Sequence, residues 1–391
     1  MAHTPKRIRI GLLFIAAAWM ASAASPAPAA SAAAPLDTAE AALPAATPSP
    51  ATGPATAGKP FGLNGKYLDC HVHTAGIGEK GSGCFISKQL RESYKFPIYL
   101  KAFGVSEREL MDEGDGLVPD RISAKLAESK TVGGAVLLAM DGVADSAGGL
   151  DTIRTQLYIP NAFVAGEARR HANLYFGASV NPGRKGAVEE LRRVKAEGAV
   201  LVKWIPSIMD IDPADSANIP FYLALKELGL PLLTHTGTEN SFLAAKDSLC
   251  DPFRLELPLS LGVTVIAAHV GTPGKSHKQE NMERALIMMA RHPNLYADIS
   301  SLTQVNKLGY LKRILPRKEV KGRLLYGTDF PLIETALVSP YYYTWRAPFT
   351  RLRAAARETN PWDRDVALKK ALGVGEDIFA RSGALLLPQG K

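Results

Sequence analysis

Short apolar runs alternate with amphipathic stretches over most of this chain. Aliphatic and β-branched residues concentrate at 67–73, 135–141, 175–181, 199–205, 231–235, 264–269, 295–299 and 324–329. Runs of this length and content predict strands. Helical apolar spacing follows them, most clearly at 186–197, 220–228, 280–291 and 364–372. Leu228-Gly229-Leu230 and His292-Pro293 are good helix stops. The runs are nearly continuous in apolar residues, which suits strands covered on both faces, as in a parallel sheet.

The later runs end at Lys203, His235, His269, Ser300 and Asp329, spaced at about 30 residues, the length of one βα unit. Eight strands with this repeat predict an α/β fold, a (β/α)8 TIM barrel built as a single catalytic domain. An open doubly wound sheet is the alternative, but its first strand normally leads into a Gly-rich loop. Here that strand ends in His71-Val72-His73. The gap from His73 to Asp141 is long, and in a barrel it lies beside the strand ends, where it could cover a site or merely pack on the surface. The aromatic segment 340–352 after the last strand is open to the same two readings.

The ends of the chain differ from this core. Lys6, Arg7 and Arg9 precede an apolar run at 10–20, and no acidic residue occurs before Asp37. Ala21-Ser22-Ala23 offers a small-residue cleavage site. Residues 1–23 therefore read as a signal peptide that exports the protein to the periplasm or outside the cell. An uncleaved anchor is the alternative, but the apolar core is short for a span. Residues 24–59 are almost all Ala, Pro, Ser, Thr and Gly and read as a disordered tether. The folded domain is expected over 60–391.

Export would permit a disulfide. Of the three cysteines, Cys70 lies inside the first strand and reads as a buried, inert thiol. Cys84 and Cys250 fall in loop-like segments and could bridge. The net charge is +8, and losing Lys6, Arg7 and Arg9 leaves +5. The basic residues are scattered among acidic ones, which argues against nucleic acid. A small molecule, with a mild preference for anions, is the expected partner. No stable membrane partner is expected once the signal is removed, and a homo-oligomer is open.

The strongest chemical signal is Asp69-Cys70-His71-Val72-His73. Strict alternation would put Asp69, His71 and His73 on one face, with Cys70 and Val72 on the other. Two imidazoles side by side on a strand make a two-point grip on a transition metal. A lone His-x-His pair is more often a surface or core pair. What changes the balance is that His235, His269, Lys203 and Asp329 are also polar ends of apolar strands. In a barrel such ends converge on one mouth.

Together these segments resemble the amidohydrolase superfamily, in its amidohydrolase-2 (aminocarboxymuconate-semialdehyde decarboxylase-like) branch. The resemblance rests on Asp69–His73, Val202-Lys203-Trp204-Ile205-Pro206, Leu233-Thr234-His235-Thr236-Gly237, Ala268-His269-Val270-Gly271 and Tyr326-Gly327-Thr328-Asp329-Phe330-Pro331. It implies a distorted TIM barrel holding a divalent metal, zinc being the expected ion. His71, His73 and Asp329 would bind it, and water activated by the metal would attack the substrate. Asp329 would move the water's proton to the leaving group. The resemblance leaves a fork at Lys203. As a carbamate it would bridge two ions, with His235 and His269 on the second. In a one-metal site His235 completes the first shell, His269 stays free as acid or base, and Lys203 is an ordinary amine. Hydrolysis of a C–N or C–O bond, decarboxylation of a small acid, and a non-catalytic metal-binding barrel are the functions this leaves.

Overall fold

The computed structural model describes residues 63–387. The expected signal peptide and all of the expected tether lie outside the described residues. The eight apolar runs form one parallel sheet, β1 (Tyr67–His73), β2 (Val132–Leu138), β3 (Leu174–Ala178), β4 (Leu201–Trp204), β5 (Leu232–Thr234), β6 (Val265–Ala267), β7 (Leu295–Asp298) and β8 (Leu324–Leu325), neighbours in chain order. Closure comes from the chain beyond β8. Cys70 N donates to Tyr326 O at 3.1 Å, His73 N to Phe330 O at 2.9 Å, and Asp329 N to His71 O at 2.9 Å. The sheet is thus a barrel, as the βα spacing predicts.

Helices follow the strands on the outside: α1 (Leu117–Ala127), α2 (Asn161–Arg170), α3 (Ala187–Ala196), α4 (Ile219–Glu227), α5 (Glu256–Ser260), α6 (Asn281–Arg291), α7 (Tyr310–Ile314), then α8 (Pro361–Ala371) and α9 (Glu376–Leu386) after β8. The strands carry two apolar layers. Leu68, Cys70, Val136, Leu138, Leu201, Leu233, Ile266 and Leu325 fill the interior. Val72, Leu137, Val202, Leu232, Val265 and Ala297 face the helices. Burial on both faces is why the runs are continuous rather than alternating.

Three expectations are corrected. Strand 2 lies at Val132–Leu138 and strand 3 ends at Ala178, so Asp141 and Asn181 belong to the loops beyond. There Asp141 accepts from the Asn181 and Gly142 amides at 2.8 Å each, tying the two loops together. Alternation also fails in β1, whose register against β2 slips between Asp69 and Val72. Leu68 and Cys70 pack in the interior, while Asp69 turns to Thr328 and to Trp362 on α8. The slip then lets His71 and His73 open into the barrel mouth. Finally, Cys70, Cys84 and Cys250 are all free, buried thiols, so the candidate Cys84–Cys250 bridge is not formed.

The long β1–β2 connection does reach the mouth. Lys95 Nζ on its helix Lys95–Phe103 donates to Asn240 O at 2.7 Å and Phe242 O at 2.9 Å, in the loop after β5. Phe103 packs against Phe330, next to Asp329. The aromatic segment after β8 is mixed: Tyr343 is buried, and Trp345 is 97 % exposed. No helix among the described residues is long and apolar enough to cross a membrane.

Outside the barrel, α8 is fastened by a buried ion pair. Lys369 Nζ lies 2.7 Å from Asp365 Oδ2, with both side chains at most 1 % exposed, and also donates to Gly327 O at 2.8 Å. Removing one partner leaves a buried, uncompensated charge. Lys369→Met is expected to lower unfolding stability by roughly 3–5 kcal/mol, and adding Asp365→Leu should restore most of it, both read by urea unfolding. Thiol titration of the denatured chain without reductant should count three free thiols; a count of one would restore the bridge.

Candidate functional site

The mouth is built from strand ends and the loops that follow them. His71 and His73 arrive on β1, Lys203 on β4, His235 just past β5, His269 just past β6, and Asp329 on the chain that closes the barrel. Four non-glycine residues here adopt left-handed backbone: His269 (φ 59), Val270 (φ 52), Ser301 (φ 52) and Asp329 (φ 65). Such conformations are uncommon for residues with a Cβ, and most of all for a β-branched one. They explain why β6 and β8 stop short of the expected 269 and 329. The backbone leaves the strand so that these side chains turn inward.

His71 Nε2 lies 3.2 Å from His73 Nε2 and 3.5 Å from Asp329 Oδ1, and His73 Nε2 lies 3.2 Å from the same oxygen. Donors about 2.0–2.1 Å from a tetrahedral ion stand about 3.3–3.4 Å apart. This triangle therefore has the edge lengths of one face of a tetrahedral site. Asp329 reaches the other way too, with Oδ2 3.9 Å from His269 Nε2. Ligand atoms of His71, His269 and Asp329 lie within 4.8 Å of one another. One carboxylate thus faces the His71–His73 pair and His269 at once.

Buried Asp298, at the end of β7, fixes the tautomers. Its Oδ2 accepts from His71 Nδ1 at 2.9 Å, and its Oδ1 accepts from the amides of His269 and Ser300 at 3.0 Å each and from the Ser300 hydroxyl. A carboxylate at Nδ1 keeps the proton there and leaves the Nε2 lone pair free, which is how metal-binding histidines are oriented. Near His269 Nδ1, the Ser300 carbonyl at 3.1 Å can only accept, so this ring too carries its proton at Nδ1 and offers Nε2 to the mouth. Burial holds the His71 imidazole neutral, pushed down to about 4, and pushes His269 and His235 down as well. Asp298 and Asp329 are also buried, which opposes charge. The adjacent imidazoles outweigh that burial and keep both carboxyls below their ordinary range. Neutral imidazoles and an ionised carboxylate are the forms that bind a metal.

Two more groups complete the mouth. The buried Lys203 Nζ lies 2.9 Å from His71 Nε2, and burial pushes its ammonium down. His235 contacts the His269 ring edge-on at 5.2 Å and sets Nδ1 3.5 Å from Glu239 Oε2. Its buried Nε2 has no hydrogen-bond partner. An orphaned ring nitrogen beside this donor triangle fits a ligand to an ion or a polar group.

All six sequence candidates, His71, His73, Lys203, His235, His269 and Asp329, thus come to one mouth. Asp69 does not join them; it is a brace. Two neighbouring polar side chains are structural: Trp204 is buried and donates to Val180 O, and Arg184 pairs with Asp141 at 3.7 Å. Sequence reasoning missed Asp298, Ser301 and Lys307. Asp298 had a signal, an acidic residue inside a buried strand. The other two lie in a loop with no pattern to mark them.

Comparison with known proteins follows the same line. No curated protein sequence matches the chain significantly. Among solved structures, an uncharacterised TIM-barrel protein from Bordetella bronchiseptica is 16% identical over 78% of this chain and 99% of its own, with a TM-score of 0.48. A putative 2-pyrone-4,6-dicarboxylic acid hydrolase from Pseudomonas putida is 14% identical over 82% and 97%, with a TM-score of 0.47. A 5-carboxyvanillate decarboxylase from Sphingomonas paucimobilis is 10% identical over 82% and 97%, with a TM-score of 0.44. The family model described as Amidohydrolase matches residues 69–362, from the brace Asp69 past Asp329 to Trp362. The chain belongs to the amidohydrolase-2 family, whose members are metal-dependent enzymes.

Proposed function

We propose that this protein is an exported, metal-dependent hydrolase that cleaves a C–N or C–O bond of a small molecule. The observation that carries the reading is the donor triangle of His71, His73 and Asp329, with edges of 3.2, 3.2 and 3.5 Å. His235 and His269 supply further nitrogen donors, and Lys203 stands beside them. A nitrogen-rich set with one carboxylate suits Zn2+ among the common divalent ions. When bound, such an ion supplies Lewis acidity and lowers the pKa of coordinated water.

The chain's own residues handle the protons. Asp329, held ionised, accepts a proton from the attacking water and delivers it to the leaving group. His269 stands 3.9 Å from Asp329 Oδ2 with its Nε2 lone pair open, and so is placed to share that proton. Asp298 holds the His71 ring in the tautomer that keeps Nε2 free. The connection between β1 and β2 is tied to the loop after β5 by Lys95.

Decarboxylation of a small acid is the second reading. Two buried ammonium groups, Lys203 and Lys307, make no ion pair with a carboxylate among the described residues, and either could hold a substrate carboxylate. The two reactions differ in water. A screen of lactones, amides and aromatic acids in oxygen-18 water should yield a product carrying the label, without carbon dioxide. Carbon dioxide and unlabelled product would replace hydrolysis by decarboxylation.

Metal content gives a second check. Elemental analysis of the purified protein should find one or two divalent ions per chain. His73→Ala and Asp329→Asn should each deplete the ion, and Asp329→Asn should lower kcat by roughly 10²–10⁴ with the barrel still folded. Two ions falling to one or none in Lys203→Ala would assign a bridging role to Lys203. One ion in both proteins would leave Lys203 an ordinary amine. A metal-free wild type under replete conditions would overturn the reading.

A further inference from the structure

Lys307 is a buried cation that the hydrolytic steps above leave unused. It ends the 3-10 turn Val305–Lys307 that follows β7, and it is 6 % exposed. Its ammonium donates to Ser301 Oγ at 2.5 Å. Ser301 Oγ lies 3.0 Å from His269 Nδ1, so Lys307 stands one hydroxyl away from the histidine of the mouth. An ammonium has three N–H donors, and this bond engages one. Among the described residues no carboxylate pairs with it. Asp329, Glu239 and Asp298 act on it only through their fields, and its own charge lowers the titration of His269 and His235. Through Ser301 the ammonium stands behind His269, whose ring meets His235 edge-on.

A buried, unpaired cation is costly in a folded protein unless a counter-charge completes it. Burial pushes Lys307 down to about 8, which leaves it mainly charged at neutral pH. The chain brings this charge within one hydroxyl of His269, and among the described residues no carboxylate makes an ion pair with it. A neutral residue of similar length would have filled the same volume without that cost.

We infer that Lys307 is the specificity-determining residue of the site: its ammonium, steadied by Ser301, takes a carboxylate of the substrate and so orients the scissile bond toward Asp329 and His269. This rests on the reading of the mouth as the catalytic site. It narrows the substrate class to small molecules that carry an anionic group in addition to the bond cleaved. Charge-assisted hydrogen bonds to a carboxylate are strong and directional in a dry site, which makes this contact a selector rather than a general attraction.

The test compares benzoate with benzamide, which has nearly the same shape and no charge. Both are titrated calorimetrically into full-length, metal-replete wild type, Lys307→Met and Lys307→Gln, with metal content and melting temperature measured on each. Lys307→Gln retains a donor for Ser301 and loses the charge. Benzoate should bind the wild type at least about tenfold more tightly than benzamide, and both variants should lose that preference with metal content unchanged. Benzoate affinity within twofold of wild type in Lys307→Gln would overturn the inference, as would failure of benzoate to bind the wild type. Loss of melting temperature in Lys307→Met with benzoate selectivity retained in Lys307→Gln would make Lys307 a brace for Ser301, which also overturns it. A wild type without metal would sink the proposed function alone, since the benzoate preference is read independently of the ion.

Discussion

The buried carboxylate of Asp69 ties the first strand of the barrel to the last, and the site depends on that tie. Oδ1 accepts from His71 N at 3.1 Å and Thr328 N at 3.0 Å, and Oδ2 accepts from Thr328 Oγ1 at 2.5 Å and Trp362 Nε1 at 2.9 Å. His71 and Asp329 are far apart in sequence, and this one side chain pins His71 itself and Thr328, the neighbour of Asp329. Without the tie the β8 end would have only three backbone bonds to β1, and the donor triangle would be free to open. Burial pushes the Asp69 carboxyl up to about 7, against the pull of its hydrogen bonds. The cost of placing a carboxylate there is offset by satisfying four donors at the seam of the barrel.

The same economy runs through the strained backbone. Non-glycine residues in the left-handed region cost roughly 1–3 kcal/mol each, and His269, Val270, Ser301 and Asp329 all occupy it. Three of the four are held by groups that also define the chemistry. His269 N is bonded to Asp298, Ser301 Oγ to Lys307, and Asp329 N to His71 O. Asp298 is central to this, because one carboxylate sets the His71 tautomer and fixes the turn that carries His269. Strain and function meet at the same residues because a regular strand would point these side chains alternately in and out.

Much of this was legible in the sequence, and physics decides which part. Apolar runs covered on both faces announce a parallel sheet, and their spacing announces a barrel. The barrel then sends every strand's C-terminal end to one mouth, so Lys203, His235, His269 and Asp329 could be gathered from positions alone. Asp69 misled for a local reason: alternation assumes an unbroken register, and the slip in β1 turns Asp69 away from His71 and His73. Lys307 and Ser301 were invisible because a 3-10 turn after a strand carries no periodic signal. The Cys84–Cys250 expectation failed because loop location says nothing of distance. Pairing is a three-dimensional property that two buried thiols in separate loops do not meet.

Lys203 and a metal compete for one lone pair. His71 Nδ1–H donates to Asp298, so Nε2 has a single pair to share. In the protein alone that pair accepts from the Lys203 ammonium at 2.9 Å. The same nitrogen is one corner of the donor triangle with His73 and Asp329. A cation there repels the Lys203 ammonium as well as taking its acceptor, and burial already disfavours the charged amine. Metal entry at this corner would therefore favour loss of the Lys203 proton, and the reverse. A neutral amine freed from His71 is also the form that reacts with carbon dioxide to give a carbamate, so the one-ion and two-ion sites differ in what Lys203 becomes after His71 releases it.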